Sequence, residues 1–93
     1  MDIKTLQYFS AIVEAGGMSG AARRLGTSRS HISRRLKALE QDLQVQLLRR
    51  TTRRVEPTQI GWALYEHAAR ISQELSALQS TVDNLGRNLR GHL

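Results

Sequence analysis

The sequence predicts a mainly helical fold: three short helices, a brief extended interruption and one long C-terminal helix. Three observations predict it. Apolar residues recur at three- and four-residue spacing through most of the 93 residues, single or paired glycines cut the first third into short segments, and a regular heptad pattern runs from Leu64 onward. With 40% hydrophobic and 24% charged residues the chain can build one small core. At this length folding buries only about 60 to 65% of the unfolded surface, which leaves little room for an enclosed active site. The absence of Cys removes disulfides, thiolate metal sites and cysteine nucleophiles together.

In chain order, Ile3, Leu6, Phe9 or Ser10, and Val13 follow helical spacing, and Gly16-Gly17 ends this first helix of about residues 3–15 because Gly readily takes the left-handed C-cap conformation. Ser19 is suited to cap a second helix, whose Ala21, Ala22 and Leu25 form a small apolar face and which Gly26 ends. After the Gly26-Thr27 turn, Ser28 is the expected N-cap of a third helix with Ile32, Leu36 and Leu39 toward the core. Ser30, Ser33, Arg34, Lys37 and Gln41 then project outward, with His31 at one margin and Arg29 and Arg35 nearer the apolar edges.

From Gln46 to Pro57 helical periodicity lapses. Leu47-Leu48, Thr51-Thr52-Arg53 and Val55 predict two short extended segments around a turn, a wing. Pro57-Thr58 starts a fourth helix running to about Arg90. Its Leu64, Ala68, Ile71, Leu75, Leu78, Val82, Leu85 and Leu89 alternate gaps of four and three, a heptad seam. A helix of about 33 residues extends roughly 50 Å, farther than three short helices can cover, so the seam calls for a partner. The alternative is an amphipathic helix packing within its own chain, and the seam alone leaves the orientation of a pair open.

The net charge of +6 is unevenly placed. Residues 23–54 hold ten basic side chains, Arg23, Arg24, Arg29, Arg34, Arg35, Lys37, Arg49, Arg50, Arg53 and Arg54, against Glu40 and Asp42, a net of +8. The two flanking segments each carry a net of −1. Arg outnumbers Lys 12 to 2, which favours bidentate recognition of phosphate and guanine. A solvated basic face is the plain alternative. Two short helices joined by a tight Gly-containing turn, the second apolar inside and basic outside, meet the requirements of a helix-turn-helix whose second helix enters a major groove.

The run Ser19-Gly20-Ala21-Ala22-Arg23-Arg24-Leu25-Gly26-Thr27-Ser28-Arg29-Ser30-His31-Ile32-Ser33-Arg34-Arg35-Leu36, followed by Leu39-Glu40, resembles the N-terminal DNA-binding domain of LysR-type transcriptional regulators. The resemblance extends to Ile3 to Phe9, to Leu47-Leu48-Arg49-Arg50-Thr51-Thr52-Arg53 and to Thr58-Gln59-Ile60-Gly61, covering residues 1 to about 65. It implies a winged helix-turn-helix, residues 1–57, and a linker helix, residues 58–93, that pairs two subunits on double-stranded DNA. It implies a DNA-binding set of Ser28, Arg29, Ser30, His31, Ser33, Arg34, Lys37, Arg50, Thr51, Arg53 and Arg54. The dimer set is Leu64, Ala68, Ile71, Leu75, Leu78, Val82 and Leu85.

Family members also carry a larger C-terminal effector-sensing domain, absent from these 93 residues, so the chain is expected to be part of a longer regulator, a dimer or tetramer that meets its small-molecule effector only there. Departures from the family pattern fall at the first recognition contact, usually Gln and here Arg29, and at the next two positions, Ser30 and His31. Gln44 replaces the Gly that ends the third helix, Leu48 the Phe before the wing, and Pro57 and Ile60 a Leu and an Ala.

The remaining residues have plainer readings. Arg23 and Arg24 are solvated surface or phosphate contacts, Arg35 is a packed stem with a phosphate-reaching head, and Arg49 is exposed. Glu40, Asp42 and Glu56 are isolated surface acids. His31, His67 and His92 are too scattered for a metal site, and no Ser/His/Asp set, phosphate loop or carboxylate pair is present, so neither an enzyme nor a cofactor is expected. No apolar stretch is long enough for a membrane span, and a cytoplasmic location is expected. The rivals are a helical protein-interaction module and a non-specific chromosome-coating protein.

Overall fold

Asp2 starts the first helix, α1 (Ile3–Ala15): its carboxylate accepts the Thr5 N–H at 2.8 Å, satisfying a donor the helix cannot pair internally. The Thr5 hydrogen bonds, with Arg35 nearby as a smaller influence, hold the Asp2 carboxyl below its ordinary pKa. Gly16, at φ 77°, closes the helix by donating its N–H to the Ile12 carbonyl. The structure, a computed structural model, describes residues 1–50 and 54–91, with side chains as far as Arg87. The buried face of α1 is Leu6, Phe9 and Ile12, flanked by Tyr8 and Ala11. Ile3, expected inside, is 46% exposed because it lies on the first turn, beyond the reach of the other helices.

The second helix, α2 (Met18–Leu25), corrects the expected cap. Its N-cap is Gly17, with no side-chain cap bond, and Ser19 sits exposed in the first turn. Met18 is drawn into the core, which moves the helix start ahead of Ser19, and it takes the place expected of Leu25, which is 36% exposed. Ala21 and Ala22 are buried as expected. The third helix, α3 (Arg29–Leu43), is capped by Ser28, whose Oγ accepts the His31 N–H at 3.1 Å. Ile32, Leu36 and Leu39 are its buried face.

Helix α3 ends at Gln44 in the left-handed region, φ 56° and ψ 40°. A side chain there costs about 1 kcal/mol relative to Gly. Gln44→Gly is therefore expected to raise the melting temperature by about 4 to 8 °C, measured by thermal unfolding, and an unchanged midpoint would count against strain at this cap.

Two strands follow, β1 (Leu48–Arg50) and β2 (Val55–Pro57), antiparallel, with Leu48 opposite Pro57, Arg49 opposite Glu56 and Arg50 opposite Val55. The two extended segments are thus present, whereas Thr51, Thr52 and Arg53 lie outside the described residues. Glu40 corrects its reading as a surface acid. One carboxylate oxygen accepts the Leu47 and Leu48 N–H groups at 2.7 and 3.3 Å, so it ties α3 to the root of the wing and satisfies two backbone donors.

The last helix, α4 (Gln59–Gly91), begins at Thr58. The Thr58 hydroxyl donates to the Gln46 carbonyl at 2.6 Å and accepts the Gly61 N–H at 3.1 Å, while its N–H donates to the Leu47 carbonyl at 2.9 Å. Gly61 is buried where a Cβ would run into that same Leu47 carbonyl oxygen. The core of Phe9, Ile12, Ile32, Leu39 and Leu47 is closed on this side by Leu64 and Tyr65, with Ala68 1% exposed. Beyond it α4 projects as a spine, giving overall dimensions of 59 × 24 × 19 Å. No described helix is long and apolar enough to cross a membrane.

Candidate nucleic-acid interface

Burial of Ile32, Leu36 and Leu39 fixes which side of α3 faces water. Arg29, Ser30, Arg34 and Lys37 are exposed on it, and Ser33 is half-buried at its edge. Arg50 of β1 donates from Nη2 to the Ser33 Oγ at 3.4 Å, so the wing root and the outward face of α3 form one continuous surface. Ser28 stands at the start of that surface, with its hydroxyl engaged in capping.

Several expected contacts are placed differently. The His31 ring is half-buried and lies edge-to-face on Tyr8, at 5.6 Å between centroids and 77° between planes, with Nε2 3.5 Å from the Tyr8 hydroxyl. It is packed toward α1 rather than outward, because Tyr8 offers an aromatic edge at that margin. Arg35 does not extend toward phosphate. Its guanidinium lies 5.8 Å from the Tyr8 ring centre and donates to both Asp2 oxygens at 3.2 and 3.3 Å. Arg54 pairs through Nε with Glu56 Oε1 at 2.9 Å, both exposed. Thr51 and Arg53 lie outside the described residues.

Sequence spacing also missed a link between helices. Glu14 of α1 accepts Arg24 Nη1 at 2.6 Å and the Tyr65 hydroxyl at 3.0 Å, joining α1, α2 and α4. The bond to Glu14 raises the Tyr65 pKa. Arg24 is thereby held by a carboxylate of α1. No local spacing rule connects residues 10 or 51 apart, so nothing in the sequence signalled the link.

These pairings leave Arg23, Arg29, Arg34, Lys37, Arg49 and Arg50 exposed and, among the described residues, without a carboxylate partner. Leu64 and Ala68, expected in the dimer seam, are used instead in the chain's own core. The open part of the seam begins at Ile71, 39% exposed, and continues through Leu75, Leu78, Val82 and Leu85.

Two short helices joined by a tight turn, a second helix with a cationic outer face and an antiparallel wing beside it define a winged helix-turn-helix protein. The family described as Bacterial regulatory helix-turn-helix protein, lysR family, matches residues 3–62, and the chain belongs to that family. It is 38% identical over 93 residues to the nitrogen assimilation regulatory protein nac of Klebsiella aerogenes, covering 100% of this chain and 30% of that one. It is 48% identical over 71 residues to the HTH-type transcriptional regulator TcbR of a Pseudomonas species, covering 76% of this chain and 24% of that one. The chain thus spans less than a third of either relative.

Among solved structures it is similar to the protein in the BenM_DBD/catB site 1 DNA complex, with a TM-score of 0.89 at 30% identity, over 92% of this chain and 96% of that one. The CbnR_DBD-DNA complex matches with a TM-score of 0.84 at 40% identity, over 94% of this chain and 100% of that one.

Proposed function

We propose that this chain is the DNA-binding part of a LysR-type transcriptional regulator of the bacterial cytoplasm, working as a dimer on an interrupted palindrome. Helix α3 enters the major groove, the wing lies at the minor groove, and the open seam of α4 joins two copies. The observation that carries this reading is the single cationic surface formed by Arg29, Ser30, Arg34 and Lys37 with Arg50 of the wing root, opposite the buried face of α3. The dimer rests on Ile71, Leu78, Val82 and Leu85, exposed large apolar side chains along one projecting helix.

The head comprises residues 1 to about 68 rather than 1–57, because Leu64, Tyr65 and Ala68 complete its core. Recognition, rather than turnover, is the task of this surface. Sensing of a small-molecule effector and assembly to a tetramer belong to the longer protein of which this chain is the reading part.

Binding to duplexes selected from a random pool, measured against salt, tests the reading. A dimer that neutralises about 6 to 10 phosphates gives a slope of log K against log salt of about −5 to −9. Arg34→Ala is expected to lose about 1 to 3 kcal/mol at particular base positions, whereas Arg53→Ala weakens many sequences together. A flat salt dependence with no preference for selected duplexes would overturn the proposal.

A further inference from the structure

Beside the reading face, four arginines from four different elements converge on one concavity of about 420 Å³: Arg23 of α2, Arg29 at the start of α3, Arg50 of β1, and Arg54 next to β2. Its remaining wall is Ala15, the turn and first residues of α2, including Gly17 and Gly20, and Val55 of β2. Helix α2 opens there without a side-chain cap, so its first N–H groups and the positive end of its dipole lie along the same wall. Gly20 lets α2 pack closely on the end of α1, since a Cβ there would meet the Ala15 Cβ at 3.0 Å. The nearest acid on the wing, Glu56, is engaged with Arg54 and does not line the cavity.

Arg54 is held by Glu56, but Arg23, Arg29 and Arg50 have no carboxylate partner among the described residues, and a single anion in the hollow turns the repulsion among them into shared attraction. The lining offers donors and positive charge but no aromatic platform for a base. Arg29 belongs to this rim, at the position where the family's first base-reading residue usually stands.

We infer that this concavity is a phosphate cradle for the DNA backbone, and that Arg29 acts there as a phosphate ligand instead of a base reader. The inference rests on the DNA-binding reading and deepens it. Arg29 fixes where the head sits on the duplex, and base discrimination passes to residues farther along the outward face of α3, Arg34 first among them. In this chain the first recognition position contributes affinity and register without sequence information.

The test uses the 93-residue chain and a duplex selected from a random pool. Arg29→Ala is expected to weaken binding about tenfold on every duplex alike and to make the salt slope shallower by about 0.9 per head. A repeated selection with the variant should return the same preferred bases. Replacing single phosphates by neutral methylphosphonates should reveal one position per half-site whose loss matches that of Arg29→Ala and adds nothing to it, and Arg23→Ala should behave the same way at that position.

Because Arg29 is exposed, its substitution leaves the core intact, which an unchanged melting curve verifies. A changed preferred base with an unchanged salt slope would make Arg29 a base reader and overturn the cradle. Inorganic phosphate, titrated at constant ionic strength, separates the two sources of the anion. The amide resonances of Gly17 and Gly20 should move on adding duplex and stay in place at millimolar phosphate. Saturable movement with phosphate alone would make this a free-anion site and overturn its assignment to the DNA backbone. If no duplex is selected at all, the regulator reading itself fails. If selection and the Arg34→Ala loss stand while Arg29→Ala changes nothing, the cradle alone fails.

Discussion

A chain carrying Leu75→Asp together with Leu78→Asp is expected to sediment as a monomer and to keep its head folded. Leu75 is half-buried and Leu78 exposed on the projecting part of α4, so neither contributes to the head's core. In the proposed pair both become buried, and two carboxylates per chain in that interface would cost several kcal/mol per group, more than a paired helix of this length recovers elsewhere. The head retains Leu64 and Ala68 beneath α1, so circular dichroism should show only partial loss of helix. Binding changes with assembly. A pair reaches two half-sites one or more DNA turns apart, whereas a monomer engages one, and the palindrome should lose its advantage over an isolated half-site. An unchanged dimer in sedimentation would place the interface elsewhere.

Gly61→Ala should be as damaging to the fold as that double substitution is to assembly. The added Cβ would run into the Leu47 carbonyl oxygen, and it would also stand 3.1 Å from the Leu47 carbonyl carbon and 3.2 Å from the Pro57 Cβ. Backbone atoms cannot swing aside as the end of a side chain can. Relief requires moving α4 away from the root of the wing, which breaks the Thr58 bonds to Gln46 and Leu47 and loosens Leu64 and Ala68 from the core. A loss of about 3 kcal/mol is expected, seen as a lower urea midpoint with little change in slope. An unaltered midpoint would mean that the helix is not pinned where the structure has it.

Much of this architecture was legible in the residues because it depends on neighbours in sequence. Ser28 caps a helix three residues ahead of the N–H it satisfies, Gly16 and Gly26 close helices through their own left-handed backbones, and Ile32, Leu36 and Leu39 choose a buried face by spacing alone. The segment holding the positive charge and the heptad repeat of α4 are likewise linear properties. A family resemblance carried on the same residues named the fold.

What remained hidden was the direction each charged side chain takes. Arg35 and Arg34 are adjacent, yet Arg35 turns back to Asp2 across 33 positions while Arg34 faces outward. Arg24 is held by Glu14, and Glu40 leaves the surface to bind the backbone at the wing root. The register of α1, the entry of Met18 in place of Leu25, and the use of Leu64 and Ala68 inside the head were settled in the same way. The sequence by itself determined the helices, their order, the cationic segment and the seam, since short-range sterics and periodicity suffice for these. Only the tertiary structure decided which arginines are held by carboxylates and which stay exposed, and where the apolar face of α4 leaves the core, because long side chains choose among partners that packing alone brings within about 3 Å of them.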